Sequence, residues 1–332
     1  MTSITHQARP FISCVVPAFN EAANLMPLLI RLTSQLAVLS ERWEVLVIDD
    51  GSRDATPVVI APWLTRPGVR YVRLSRNFGK EAALTAGIER AAGEVVVLMD
   101  ADLQHPVSLL PAMLEAWMKG AKMVCAARAS RTDESLAKQL GTRIFYSLVN
   151  RDPSMHIPVD AGDFRLMDRV VVDALKLLPE RNRFMKGLYA WVGFKTVVIP
   201  YTPDPRLSGK SAFSLRKLAK LAFTGVTAFS NAPLRLWSGV GAVVAALALA
   251  YGVWIVVEYF LFGVQVPGWA TLVAGTMFLS GVQLLSIGIL GEYIGRIFDE
   301  VKQRPIYLVS AEGGHSFNLS AQGSWKPAFE NT

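Results

Sequence analysis

The chain has 332 residues, enough for one large domain or two ordinary ones, and 52% are hydrophobic while only 18% are charged. Lys and Arg number 34 against 27 Asp and Glu, and the net charge of +7 suits phosphate-bearing substrates, anionic lipid or nucleic acid without choosing among them. Two cysteines in apolar runs argue against a disulfide scaffold, four scattered histidines show no zinc spacing, and MTSITHQARP at the N-terminus has no apolar stretch, so no secretory signal is expected.

From residue 11 onward, strand-like runs alternate with helical patterns. FISCVVP (11–17) leads into the helical EAANLMPLLIRLTSQLAVL (21–39), and WEVLVIDD (43–50) into a shorter helical stretch. VRYVRLS (69–75) precedes the Ala-rich helix GKEAALTAGIERAAG (79–93). EVVVLMDAD (94–102) precedes PVSLLPAMLEAWMKG (106–120), and AKMVCAAR (121–128) closes the series. Strand and helix in alternation predict an α/β domain with a mostly parallel sheet covered on both faces. Ligands of such sheets bind beyond the C-terminal strand ends. Asp49, Asp50, Asp100 and Asp102 all fall at those ends and are expected to line one rim.

Residues 128–212 are less regular. A helix is expected over 138–150, a short strand running into a helix over 163–178, a helix over 183–194 and a strand over 195–201. TPDPRLSGKSAFS (202–214) is a loop rich in Pro, Gly and Ser. The chain then changes character. Residues 238–262 carry one charge, Glu258, and residues 268–291 carry none. Each is long enough to cross a bilayer, which takes about 20 residues. The short connection GVQVP makes them a hairpin and has no Lys or Arg, whereas Arg216, Lys217, Lys220 and Arg235 precede it and Arg296, Lys302 and Arg304 follow it. That bias puts both termini in the cytoplasm. The basic, amphipathic segment 213–236 is expected along the membrane surface, with an ordinary helix on the globular domain as the alternative. The tail after Pro305 carries no clear signal. Basic residues collect around the spans and not along an aromatic-lined groove, so nucleic acid is not an expected partner.

The strand-to-helix turns carry the chemistry. The first has neither Gly-x-Gly-x-x-Gly nor a P-loop but VVPAFNEAANL, where Asn20 and Glu21 could simply cap a helix. The second, VIDDGSRDAT, is a good turn, yet a cap explains two adjacent acids poorly. The fourth strand ends Asp100-Ala101-Asp102 after five apolar residues. An unpaired buried carboxylate is costly, so this pair predicts an exposed strand end or a positive partner. Its hard oxygens suit Mg2+ or Mn2+.

In combination, VVPAFNEAANL, VLVIDDGSRDAT, LSRNFGKEAALTAGIERAAGEVVVLMDADLQHP and DFRLMDR resemble the inverting family-2 glycosyltransferases, which have the glycosyltransferase A fold. RLSGKSAFSLRKLAKLAFTGVTAFSNAPLRLW followed by a two-span hairpin is similar to the polyprenyl-phosphate glycosyltransferases, such as dolichol-phosphate mannose synthases and bacterial undecaprenyl-phosphate sugar transferases. The resemblance covers residues 11–305. It implies a catalytic domain over 1–212, interfacial helices over 213–236, a membrane hairpin over 237–292 and a cytoplasmic tail. It implies transfer of one sugar from a nucleotide diphosphate donor, UDP-linked and with glucose as first choice, to polyprenyl phosphate at the inner membrane. GDP and other sugars stay open, as does a homo-oligomer.

The residue roles implied are these. Pro17, Asn20 and Glu21 border the nucleotide, with Asp50 on the uracil or ribose side. Asn77, Gly79 and Lys80 lie near the nucleotide sugar. Asp102 is the main metal ligand, with Asp100 as its D-x-D partner and Gln104 beside it. Asp160 and Asp163 lie near the transferred sugar, and Arg206, Ser208, Lys210 and Ser211 receive the lipid phosphate. Processive synthases of this family carry Gln-x-x-Arg-Trp; here the nearest stretch is Glu180-Arg181-Asn182-Arg183-Phe184. A single-transfer enzyme is therefore expected. The alternatives are a processive synthase and a non-catalytic membrane scaffold.

Overall fold

The computed structural model describes residues 9–128, 161–181, 183–201, 232–262, 268–315 and 326–327. The chain divides into two compact units, Met1–Leu215 with Pro305–Thr332, and Arg216–Arg304.

The first unit is built on a sheet in the order β7-β5-β6-β4-β1-β2-β3-β8-β9. Its strands are β1 (Ile12–Ala18), β2 (Trp43–Asp49), β3 (Val69–Leu74), β4 (Val95–Leu98), β5 (Met123–Arg128), β6 (Ala161–Asp168), β7 (Thr196–Tyr201), β8 (Val309–Gly314) and β9 (Lys326–Pro327). β4, β1, β2 and β3 run parallel to one another, as do β5 and β7. β6 runs antiparallel between β4 and β5. The helices are α1 (Ala22–Leu39), α2 (Thr56–Ile60), α3 (Lys80–Arg90), α4 (Leu110–Met118), α5 (Arg169–Lys176) and α6 (Met185–Trp191).

Strand alternation sends successive side chains to opposite faces. Cys14, Val16, Val45 and Val47 pack in one cluster with Leu25, Leu28, Leu29, Leu32 and Leu36 of α1 and with Leu110, Met113 and Leu114 of α4. Val15 and Ile48 turn the other way, toward α3. There Gly87 brings the helix so close that a Cβ would stand 2.1 Å from Val15 Cγ1. β1 and β4 are therefore buried along their whole length, which is why they read as unbroken apolar runs. The N-terminal start of α5 is capped by Asp168, which accepts from the Val170 N–H.

The tail departs from its expectation as a featureless segment. Val309–Gly314 adds antiparallel to β3, and Ser75 N–H donates to the Leu308 carbonyl. Arg90 of α3 pairs with Glu312 at 2.8 Å and donates to the Tyr307 hydroxyl at 2.6 Å. VSAEGG has almost no hydrophobic alternation, so its strand comes from pairing with an edge that would otherwise be open.

In the second unit, α7 (Ala232–Phe262) has 31 residues and α8 (Trp269–Val301) has 33. Each exceeds the roughly 30 Å of a bilayer core at 1.5 Å per residue. Their apolar side chains are exposed, among them Leu247, Trp254 and Phe260 on α7 and Met277, Phe278 and Leu284 on α8. Ala22–Leu39 is also long and apolar. Its leucines, however, are buried against the sheet, which makes it a core helix.

Candidate active site

The site gathers where β1, β2 and β4 end, together with the starts of α3 and β6. The first two turns are stitched together. Asn20 N–H donates to Ser52 Oγ at 2.9 Å, and Asn20 Oδ1 accepts from the Arg53 N–H at 2.9 Å. Glu21 N–H donates to Thr56 Oγ1, and Ala22 N–H to Asp54 Oδ2. Asn20 takes a left-handed φ of 57°, which an Asn tolerates better than most residues. Pro17 lies within β1, opposite Ile48 of β2.

Asp49 does not line the rim. It is fully buried, with Oδ1 accepting from the Ser52 N–H at 2.7 Å and Oδ2 from the Tyr71 hydroxyl at 2.5 Å. The strand pleat turns it inward to two donors, so it anchors the turn. Asp50 is 3% exposed, and its two oxygens accept the N–H groups of Phe78 and Gly79 at 2.7 and 2.9 Å. These bonds shape the turn before α3. Burial raises the Asp50 pKa against those two bonds. Gly51 lies between the acids at φ 69°, and a Cβ on it would stand 2.5 Å from the Arg76 carbonyl carbon. The same turn leaves Asn77 exposed and puts Gly79, at φ 101°, immediately before α3.

Lys80, the first residue of α3, is the central cation. Its Nζ is 2.6 and 2.8 Å from the two oxygens of Asp100 and 2.6 Å from Asp163 Oδ2. Burial opposes its charge, yet Asp100 and then Asp163 outweigh burial and raise its pKa. Burial likewise pushes the Asp163 carboxyl up, but Lys80 and Lys186 hold it well below the usual carboxylate range. A protein cation thus meets the first of the two acids that end this buried strand. Asp102 Oδ1 accepts from the Gln104 N–H at 3.2 Å. Glu21 faces the same pair: burial raises its pKa, its bond from Asn24 lowers it, and the charges of Asp102 and Asp100 raise it further.

Asp160, Arg206, Ser208, Lys210 and Ser211 lie outside the described residues. Two neighbours of the site escaped the sequence. His105 is 7% exposed; its Nδ1 accepts from the Asp100 N–H at 3.1 Å, and burial lowers its pKa against the pull of Asp100 and Asp102. Glu81 accepts from the Met185 N–H at 3.1 Å, and burial, then Asp163, push its carboxyl up to about 7. Both follow a motif residue directly or within a few positions, which was the available signal.

The family model for Glycosyl transferase family 2 matches residues 13–176, and that for the GtrB C-terminal hairpin matches residues 232–297. The SfII prophage-derived bactoprenol glucosyl transferase of Shigella flexneri is 44% identical over 300 residues, 90% of this chain and 97% of its own. The prophage bactoprenol glucosyl transferase homolog of Escherichia coli is 42% identical over 300 residues, 90% of this chain and 98% of its own. An uncharacterized glycosyltransferase of Synechocystis is 43% identical over 300 residues, 90% of this chain and 94% of its own. The chain belongs to glycosyl transferase family 2, with a C-terminal hairpin of the GtrB type, and it is a glycosyltransferase of the polyprenyl-phosphate sugar transferase type.

Proposed function

We propose that this protein transfers one glucose from UDP-glucose to a polyprenyl phosphate at the cytoplasmic face of the membrane, with inversion and with a divalent ion. The observation that carries the reading is the union in one chain of a family 2 domain and a GtrB hairpin, at 44% and 42% identity to relatives named for bactoprenol glucosyl transfer. The hairpin would anchor the domain, and the Lys and Arg flanks favour both termini in the cytoplasm.

The donor set fits Mg2+ or Mn2+. Asp100 and Asp102 offer hard carboxylate oxygens, and the upward push they give Glu21 marks a rim with surplus negative charge. Among the described residues no three acidic, His or Cys side chains enclose an ion by themselves, so this pair would share it with donor phosphate and water. Asp102 would be the principal ligand, beside an Asp100 whose two oxygens meet Lys80. Bound there, the ion would take up the charge left on the departing diphosphate.

The chain itself does the rest. Lys80 keeps Asp163 ionised, and an anion beside the sugar steadies the positive charge that grows on the anomeric carbon. Asp160 would lie near the same sugar. Pro17, Asn20, Glu21 and the Asn77–Gly79 turn would border the nucleotide, with Gln104 beside the D-x-D. An acceptor phosphate oxygen forms the new bond to the anomeric carbon as the bond to the UDP oxygen breaks, and UDP leaves with the electron pair. The acceptor is already an anion, so positioning matters more than a base. Arg206, Ser208, Lys210 and Ser211 would hold that phosphate, Arg206 by a fork that suits it.

The test uses the full chain in detergent with undecaprenyl phosphate, Mn2+ or Mg2+, and a panel of radiolabelled UDP- and GDP-sugars. Label in the organic extract from UDP-glucose alone, lost with EDTA, is the expected result. Label from another donor corrects the sugar. Label in polymer favours a processive synthase, and none from any donor favours the scaffold.

A further inference from the structure

The ladder between β4 and β6 stops at Leu98 and Arg165. Continued by two residues, the same register would set Asp100 opposite Asp163 and give the Asp100 N–H a strand partner. β4 ends at Leu98 although β6 extends to Ala161, and His105 supplies what is missing. Its Nδ1 accepts the Asp100 N–H at 3.1 Å. The proton of the neutral ring therefore sits on Nε2. The ring stacks on Phe164, the neighbour of Asp163, with centroids 4.9 Å apart and planes 16° from parallel. Tyr201 packs edge-on against it at 6.1 Å and against Phe164 at 6.3 Å. An imidazole thus replaces a strand in closing the end of β4.

The segment it closes is demanding. Between Asp102 and His105 the chain passes through Leu103 at φ 62°, a region that a Leu enters seldom. Such a turn keeps its shape only where its surroundings over-determine it. The Asp102–Gln104 bond holds one side, and the His105–Asp100 bond holds the other. With the ring clamped between two aromatics, the Asp100 peptide is fixed, and Asp102 is fixed two residues on.

We propose that His105 is a positioning residue: it holds the Asp100–Asp102 turn in the shape that takes up a divalent ion together with a nucleotide diphosphate. This rests on the metal-dependent reading above. His105 accepts its hydrogen bond from backbone and is not itself a ligand or a base in this scheme.

The test separates the ring from its acceptor nitrogen. His105→Phe keeps a ring for Phe164 and Tyr201 but offers the Asp100 N–H nothing. His105→Asn keeps an acceptor and loses the ring. Mn2+ uptake is read by electron paramagnetic resonance on the full chain in detergent with saturating UDP, and UDP binding without metal by calorimetry. His105→Phe should raise the half-saturating Mn2+ about tenfold, the effect of one lost ordering hydrogen bond, and leave metal-free UDP binding unchanged. His105→Asn should recover most of the Mn2+ affinity. If His105→Phe does not fold, His105→Met, which adapts to irregular gaps, replaces it. Wild-type Mn2+ affinity in the apolar variant overturns the proposal, and so does an equal loss of metal-free UDP binding. Absence of Mn2+ uptake by the wild type with UDP instead overturns the metal-dependent reading beneath it.

Discussion

Lys80 and Asp163 meet at 2.6 Å, and the same ammonium lies 2.6 Å from Asp100, so one cation ties the end of β4 to β6. Lys80→Met keeps the stem and removes the charge. Two partly buried carboxylates would then lose the ammonium they share, which costs more than the pair was worth. Transfer to lipid should fall by about a hundredfold or more, the scale of a preorganised charge contact. Lys80→Arg should retain more activity than Lys80→Met. Initial rates of lipid labelling, with melting curves to show that each variant is folded, check this.

Glu81 gives a pH signature. Its carboxyl is pushed from the ordinary 4.5 to about 7 by burial and then by Asp163. Between those values the folded chain holds a proton that the unfolded chain has released, so stability falls as pH rises across that window. Glu81→Gln keeps a carbonyl oxygen for the Met185 N–H and cannot ionise. Its melting temperature should match the wild type near pH 5, exceed it increasingly up to about pH 7 and keep a steady margin above that. Parallel curves would remove the ionisation from the account.

How much of this was legible in the sequence follows from what each signal depends on. Runs such as VVVL declare a strand buried on both faces, and Asp100-Ala101-Asp102 at its end marks a candidate site, because both are local. Asp49 and Asp50 misled for a physical reason. A carboxylate at a strand end reads as exposed, but Ser52, Tyr71, Phe78 and Gly79 bring it donors from up to 29 residues away, and pairing at that distance has no sequence mark. β8 was invisible for the same reason, since the edge of β3 makes a strand of VSAEGG. His105 stood inside the most telling motif, yet its value lies in Phe164 and Tyr201, which only the fold brings to it.

Gly51 joins two of these distant pieces. At φ 69° an Ala pays about 1–2 kcal/mol in backbone strain. Its Cβ would also fall 2.5 Å from the Arg76 carbonyl carbon, so the Arg76–Gly79 turn must shift. That turn gives Asp50 its two N–H bonds and leads into Lys80. Gly51→Ala should lower the melting temperature and weaken UDP binding together, by calorimetry. Weakened stability with unchanged UDP binding would detach this turn from the nucleotide.

Arg206 carries the proposed acceptor contact. Arg206→Ala should raise the KM for undecaprenyl phosphate by about tenfold, the worth of a charge-assisted hydrogen bond, and leave UDP binding unchanged. Arg206→Lys should recover only part, because an ammonium lacks the planar fork. Titration of the lipid at saturating donor measures it. Equal losses in donor and acceptor use would put the acceptor role elsewhere.

Asp102 is the sharpest test of the metal. Asn at this position keeps size and one oxygen, so the bond from the Gln104 N–H survives while the charge is lost. Neutralising the departing diphosphate by an ion is worth several kcal/mol. Asp102→Asn should therefore cut transfer by about a hundredfold or more at fixed Mn2+. Raising Mn2+ should recover part of that loss if Asp102 binds the ion, and none if its charge acts in some other way. Treatment with EDTA should take the wild type to the level of the variant and leave the variant nearly where it was. Additive losses would show that ion and carboxylate act independently.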